Sequence, residues 1–186
     1  MAGKGVPTAI ELSPDECAYI AVCSMPPSFA EISYAAKNKL THRLDVSKLS
    51  LNNTMLLNAV RQGYGTQQPL RRYFEGMDDG SHNMQLFKKF NGIMPKFRKS
   101  VETAFRETRK EIDNCSVKLG YYEAGKFYVW YPSGIREDDV KTDYLPGLAD
   151  GEFLTIHGAH AIRKLNEGET IKKLKALPKI WNEVLV

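Results

Sequence analysis

Arg61, Tyr64, Arg71 and Arg72 stand close together in the stretch RQGYGTQQPLRRYFEG, and Lys88 and Lys89 follow one expected helix later. Guanidinium and ammonium groups neutralise phosphates, and their binding releases condensed counterions. A phenol ring offers a flat face on which an unpaired base stacks. Tyr64 lies between Gly63 and Gly65, a placement expected to leave its ring exposed and mobile. Arg71 and Arg72 follow Pro69, near an expected helix start whose free N–H groups also attract phosphate. Arg61, Tyr64, Arg71, Arg72, Lys88 and Lys89 are therefore the expected nucleic-acid contacts. The stretch matches no defined RNA- or DNA-binding motif. It also has a plainer reading, in which Tyr73 and Phe74 are core and the arginines are solvated.

Two other groups have the residue types for chemistry. His157 and His160 lie at i,i+3, a spacing that on a helix lets both face one metal ion. Their apolar neighbours Leu154, Ile156 and Ile162 indicate a strand instead, which sends them to opposite faces. Glu137, Asp138 and Asp139, with Asp143 nearby, have the types needed for Mg²⁺ or for acid–base work. Their Gly- and Pro-containing surroundings indicate a solvated loop. No phosphate-cradling glycine loop, H-E-x-x-H helix or G-x-S-x-G elbow occurs. No catalytic residue, metal site or cofactor is expected. An enzyme using the loop carboxylates or His157 and His160 stays open as an alternative.

Net charge is +4, but it is unevenly spread. Between Lys37 and Lys110 there are 15 Lys/Arg against 6 Asp/Glu, a net of +9, so the rest of the chain carries −5. A basic middle is the footprint expected for RNA, DNA or another polyanion. The competing account is that lysines and arginines solvate helix faces.

The 186 residues suit one domain with a core of its own. At 42% hydrophobic and 26% charged the composition is that of a globular protein. Cys17, Cys23 and Cys115 show no paired spacing, which points away from a disulfide framework and a structural zinc site. No apolar run matches a secretory signal or a membrane span. A cytoplasmic protein without a membrane partner is the expectation.

These residues need elements to position them. Gly3, Gly5 and Pro7 suggest a flexible arm over 1–12. Ser13, Pro14 and Glu16 form a capping box that starts a helix, and Pro26-Pro27 ends it. Ser28 starts a second, with Phe29, Ile32, Ala35, Ala36 and Leu40 on one side and Lys37 and Lys39 on the other. A third helix carries Leu56, Ala59 and Val60 and stops at Gly63. A fourth carries Leu70, Tyr73 and Phe74. Further helices are expected from Ser81 and over Phe97–Ile112, the clearest 3.6-residue period in the chain. From Asn114 the pattern becomes β: a hairpin turning at Ala124-Gly125, a polar loop, a strand bulged at Gly158, and a turn at Asn166-Glu167-Gly168. Residues 169–177 read as a fourth strand or a helix, the spacing of Ile171, Leu174 and Leu177 slightly favouring helix, and 178–186 as a short closing helix or an extended tail anchored by Trp181.

The expected class is α+β: a mainly helical N-terminal two-thirds packed with a small antiparallel β-rich C-terminal part. The expected organisation is one domain over 1–186, with arm 1–12, helical part 13–114 and β-rich part 115–186. The expected function is non-enzymatic association with nucleic acid, RNA or single-stranded DNA without sequence preference. Self-assembly into a coat-like homo-oligomer is compatible with it. A structural protein without nucleic-acid binding is the second alternative.

Overall fold

The Ser13 N–H donates to Glu16 Oε2 at 2.8 Å, and the Glu16 N–H to Ser13 Oγ at 3.4 Å. This reciprocal pair satisfies two free donors at a helix start and opens α1, Pro14–Cys23. The computed structural model describes residues 6–23, 26–50, 53–75, 116–131 and 134–184. In α1 six consecutive residues, Glu16 to Ala21, are buried. That is more than one turn, so the helix is covered all round, as in a core.

α2, Phe29–Lys37, buries Ile32, Ala35 and Ala36. It ends with Lys39 in the left-handed region at φ 57°. The Leu40 N–H donates to the Ala35 carbonyl at 2.9 Å and the Lys39 N–H to the Ala36 carbonyl at 3.3 Å. This is the Schellman arrangement, with lysine in the place usually held by glycine.

Residues 9–12 are not an arm. They form β1, Ala9–Leu12, antiparallel to β2, His42–Asp45. Ile10 and Leu12 are buried on either side of exposed Glu11, a period-two pattern that the neighbouring Gly and Pro concealed. A short 3₁₀ turn, Val46–Lys48, follows. α3 is Thr54–Arg61 and α4 is Leu70–Glu75. Between them Gly65, at φ 83°, brings the loop against β1: a Cβ there would meet Ile10 Cδ1 at 2.9 Å.

The expected mainly helical N-terminal two-thirds is therefore corrected. Among the described N-terminal residues no helix exceeds the ten residues of α1, and a two-stranded sheet accompanies them. Short elements of both kinds follow one another because the apolar periods here are only two or three turns long. The helices expected from Ser81 and over 97–112 lie outside the described residues.

The C-terminal half holds a larger sheet than expected, five antiparallel strands in the order β5-β4-β3-β6-β7. These are β3 Val117–Glu123, β4 Lys126–Tyr131, β5 Gly134–Asp138, β6 Glu152–His157 and β7 His160–Lys164. The Ala124-Gly125 turn has φ of 51° and 80°, the two positive values a tight hairpin requires. β5 occupies part of the expected polar loop; nearly all of it is exposed at a sheet edge, so no alternation marks it. The single strand expected around Gly158 is two strands turning back there.

One sheet face packs on the N-terminal helices, with Val117 and Ile162 sharing a cluster with Tyr19, Leu70 and Phe74. Segment 139–150 covers the other, placing Val140 and Leu145 against Val129, Leu154 and Ile156. α5, Glu167–Val184, closes the described chain as one helix of 18 residues. Asn166 does not sit in a free turn; it caps α5, accepting the Glu169 N–H at 2.9 Å and donating its own N–H to Glu169 Oε2 at 3.1 Å.

Candidate functional site

Tyr64, expected to stack on a base, belongs to the interior. Tyr64 is 5% exposed and packs on Tyr73 at 5.4 Å. Tyr73 meets Phe74 at 5.5 Å, and Phe74 stacks on Tyr19 at 5.3 Å and 7°. The expected exposed and mobile Tyr64 is thus corrected. Gly63 and Gly65 turn the chain so that the ring points inward, and a bridge between Tyr64 and Gln68 holds the loop. The other members divide. Arg61 and Arg72 are exposed and Arg71 is half-buried. Lys88 and Lys89 lie outside the described residues. The phosphate-attracting helix start at Arg71 is not available either, because α4 has six residues and the Arg71 N–H is already donated to Glu16 Oε1 at 3.2 Å.

His157 and His160 do not point to opposite faces. The turn at Gly158 pairs them across β6 and β7, so they share a side. His157 is buried between the rings of Tyr19 and Phe74 at 5.8 and 6.0 Å. His160 lies at the surface, its Nε2 4.0 Å from Asp143 Oδ2. Among the described residues no three His, Cys, Asp or Glu side chains gather as metal ligands. The loop carboxylates are also separated. Glu137 pairs with Lys126 at 2.8 Å, whereas Asp138 accepts the Tyr131 hydroxyl.

A buried polar hub joins the two halves. The Arg163 guanidinium donates to both oxygens of Glu75, at 2.6 and 2.9 Å, and to both oxygens of Glu169, at 3.0 and 2.9 Å. The Tyr19 hydroxyl donates to Glu75 Oε1 at 2.9 Å and lies 2.6 Å from Thr155 Oγ1. The Lys173 ammonium donates to the Glu75 carbonyl at 3.0 Å. Burial raises the Tyr19 phenol well above its ordinary value, and lowers Lys173 to about 8. The Arg163 fork holds Glu169 below the usual carboxylate range. With both carboxylates forked by one guanidinium, the hub fixes α4, β7 and α5 together.

The surface cations converge elsewhere. At the end of α2, Lys37 Nζ lies 6.0 Å from the Tyr144 ring centroid, and the Lys39 ammonium donates to the Tyr144 backbone carbonyl. Lys141 joins them from the β5–β6 connection. Its N–H donates to the Ala159 carbonyl at 2.8 Å, and its carbonyl accepts the Ala161 N–H at 2.9 Å. His160 sits among them, 5.4 Å from the Tyr144 ring, with its Nδ1 buried and without a hydrogen bond. Partial burial, then the Lys141 charge, pull its pKa down; Asp143 opposes and Lys37 adds to the lowering. Lys39 and Arg71 both act on the Asp15 carboxylate, whose pKa is raised by burial despite them. A groove of about 540 Å³ runs past Glu11, Glu16, Thr41, Gly65 to Pro69 and Arg71.

Lys141 escapes a reading of the sequence because it lies outside the basic middle and comes to act on His160 together with Lys37 only through the fold. Tyr34 escapes it as well. It falls on α2 between the buried positions Ile32 and Ala35, and is 63% exposed. The signal was available: a helical period built on Ile32, Ala35 and Ala36 puts Tyr34 outward.

No family model matches this chain, and no curated protein or solved structure is significantly similar to it.

Proposed function

We propose that this protein binds the phosphate backbone of nucleic acid through the surface built by Lys37, Lys39 and Lys141. The observation that carries this reading is the convergence of three exposed lysines, from two segments far apart in sequence, around His160 and Tyr144. Like charges gathered at one place repel one another, so the arrangement costs stability unless an anion uses it. Asp143 is the carboxylate closest to His160, and its side chain is 54% exposed, leaving the lysines the stronger charge. Arg71 lines a groove that it shares with Glu11 and Glu16, and exposed Arg61 and Arg72 add further positive charge. Contacts of this kind read charge rather than sequence. A location inside the cell fits the buried thiol of Cys17.

Retention on immobilised heparin tests this. The protein should be retained at low salt and released as salt rises, and Lys37→Glu combined with Lys141→Glu should elute much earlier. A protein that is not retained, or a double variant eluting with the parent, contradicts the proposal.

A further inference from the structure

We infer that the ligand of this surface is a single strand, RNA or DNA, with a base stacked on Tyr34; the inference rests on the phosphate-binding reading above. Among the described residues the exposed large apolar side chains are Val6, Tyr34, Leu40, Ile135, Ile171 and Leu174, and Tyr34 alone of these is aromatic. It is also the most exposed of them at 63%. It stands on α2 rather than on a loop, so the backbone fixes the root of the ring. Three and five residues later come Lys37 and Lys39, and Leu40 beside them is 49% exposed.

A helix C-terminus ordinarily repels phosphate, because its last carbonyls carry partial negative charge. Here the carbonyls of Tyr34, Ala35 and Ala36 are occupied. Tyr34 O accepts from the Asn38 N–H and from Asn38 Nδ2, Ala35 O from Leu40, and Ala36 O from Lys39. The end of α2 is therefore presented as lysine ammonium groups rather than bare carbonyls. Glu31 lies one turn before Tyr34 and is exposed, so a backbone approaching the ring is steered toward the lysine side. An exposed aromatic ring one helical turn before an exposed lysine offers stacking together with charge, the pairing that single strands use. In a duplex the bases face one another inside the helix and do not reach such a ring without unpairing.

The test measures binding of a labelled unstructured RNA strand, the matching DNA strand, the matching duplex and heparin at one salt concentration. The wild type should bind either single strand more tightly than the duplex. Tyr34→Ala should weaken single-strand binding by roughly five- to hundredfold, leave duplex and heparin binding unchanged, and keep the fold, since alanine suits an exposed helix position. Tyr34→Phe should restore the single-strand affinity, because the ring and not the hydroxyl is used. If Tyr34→Ala binds single strands as the wild type does, or loses equally on duplex, the inference is wrong while the phosphate-binding reading stands. If the wild type binds no strand and no heparin, both are wrong.

Discussion

Lys39 occupies a left-handed position at φ 57°, and its ammonium donates to the backbone carbonyl of Tyr144. The first fact has a cost. A non-glycine residue there is strained by about 1 kcal/mol or more, and glycine is the usual occupant of this helix-ending position. The second fact suggests why lysine is there: the strained backbone delivers a cation to the surface shared with Lys37 and Lys141. Lys39→Gly and Lys39→Ala separate the two effects. Both should bind heparin less tightly than the wild type. In urea unfolding the glycine variant should be more stable than the alanine variant by about 1 kcal/mol. Equal stabilities would show that the position carries no strain.

The hub around Arg163 makes a different prediction. Its guanidinium is forked onto Glu75, which is 3% exposed. Removing one member of a buried ion pair leaves the other charge uncompensated, at a cost of about 3–5 kcal/mol. Arg163→Met, which leaves Glu75 charged and buried, should destabilise the fold by an amount in that range, and Glu75→Gln by less, because Arg163 keeps Glu169. The double variant should cost clearly less than the two single costs added, because Glu75 is then no longer a buried charge without Arg163. Additive costs in chemical denaturation would mean that the two side chains are not coupled.

Lys173 gives that hub a pH dependence. Its folded pKa, lowered by burial to about 8, lies below the unfolded value of about 10.4. Between these values the unfolded chain holds the proton more often than the folded one. Stability contributed by this group therefore rises with pH through that window and is lost as pH falls. Cys17, whose thiol burial raises to about 12, pulls the other way above its unfolded value, in wild type and variant alike. The comparison with Lys173→Met removes that common part. The stability difference, variant minus wild type, should shrink by about 3 kcal/mol as pH rises from about 7 to about 10.4. A difference that stays constant would place the Lys173 ammonium in contact with water.

What the sequence disclosed follows from how local each signal is. The Ser13–Glu16 box, the stop at Gly63 and the Ala124-Gly125 turn are short-range features, and each is where its residues put it. β1 and β5 were hidden because strands of four or five residues carry too little alternation, and β5 also lies exposed at an edge. Tyr64 was misread because two glycines permit a loop to be mobile without requiring it; packing on Tyr73 decided the matter. The approach of Lys37 and Lys141 to His160, and the pairing of Glu75 with Arg163, join residues far apart in the chain. No local pattern encodes such a pairing.

The central claim is that Lys37, Lys39 and Lys141 act together on phosphate, and the salt dependence of binding addresses it most directly. Affinity for a labelled single strand would be measured over a series of salt concentrations, for the wild type and for Lys37→Glu combined with Lys141→Glu. Each phosphate contact contributes about 0.7 to the slope of log affinity against log salt. The account predicts a steep decline for the wild type and a slope shallower by about 1.4 for the double variant. Binding that does not respond to salt, or the same slope for both proteins, would contradict it.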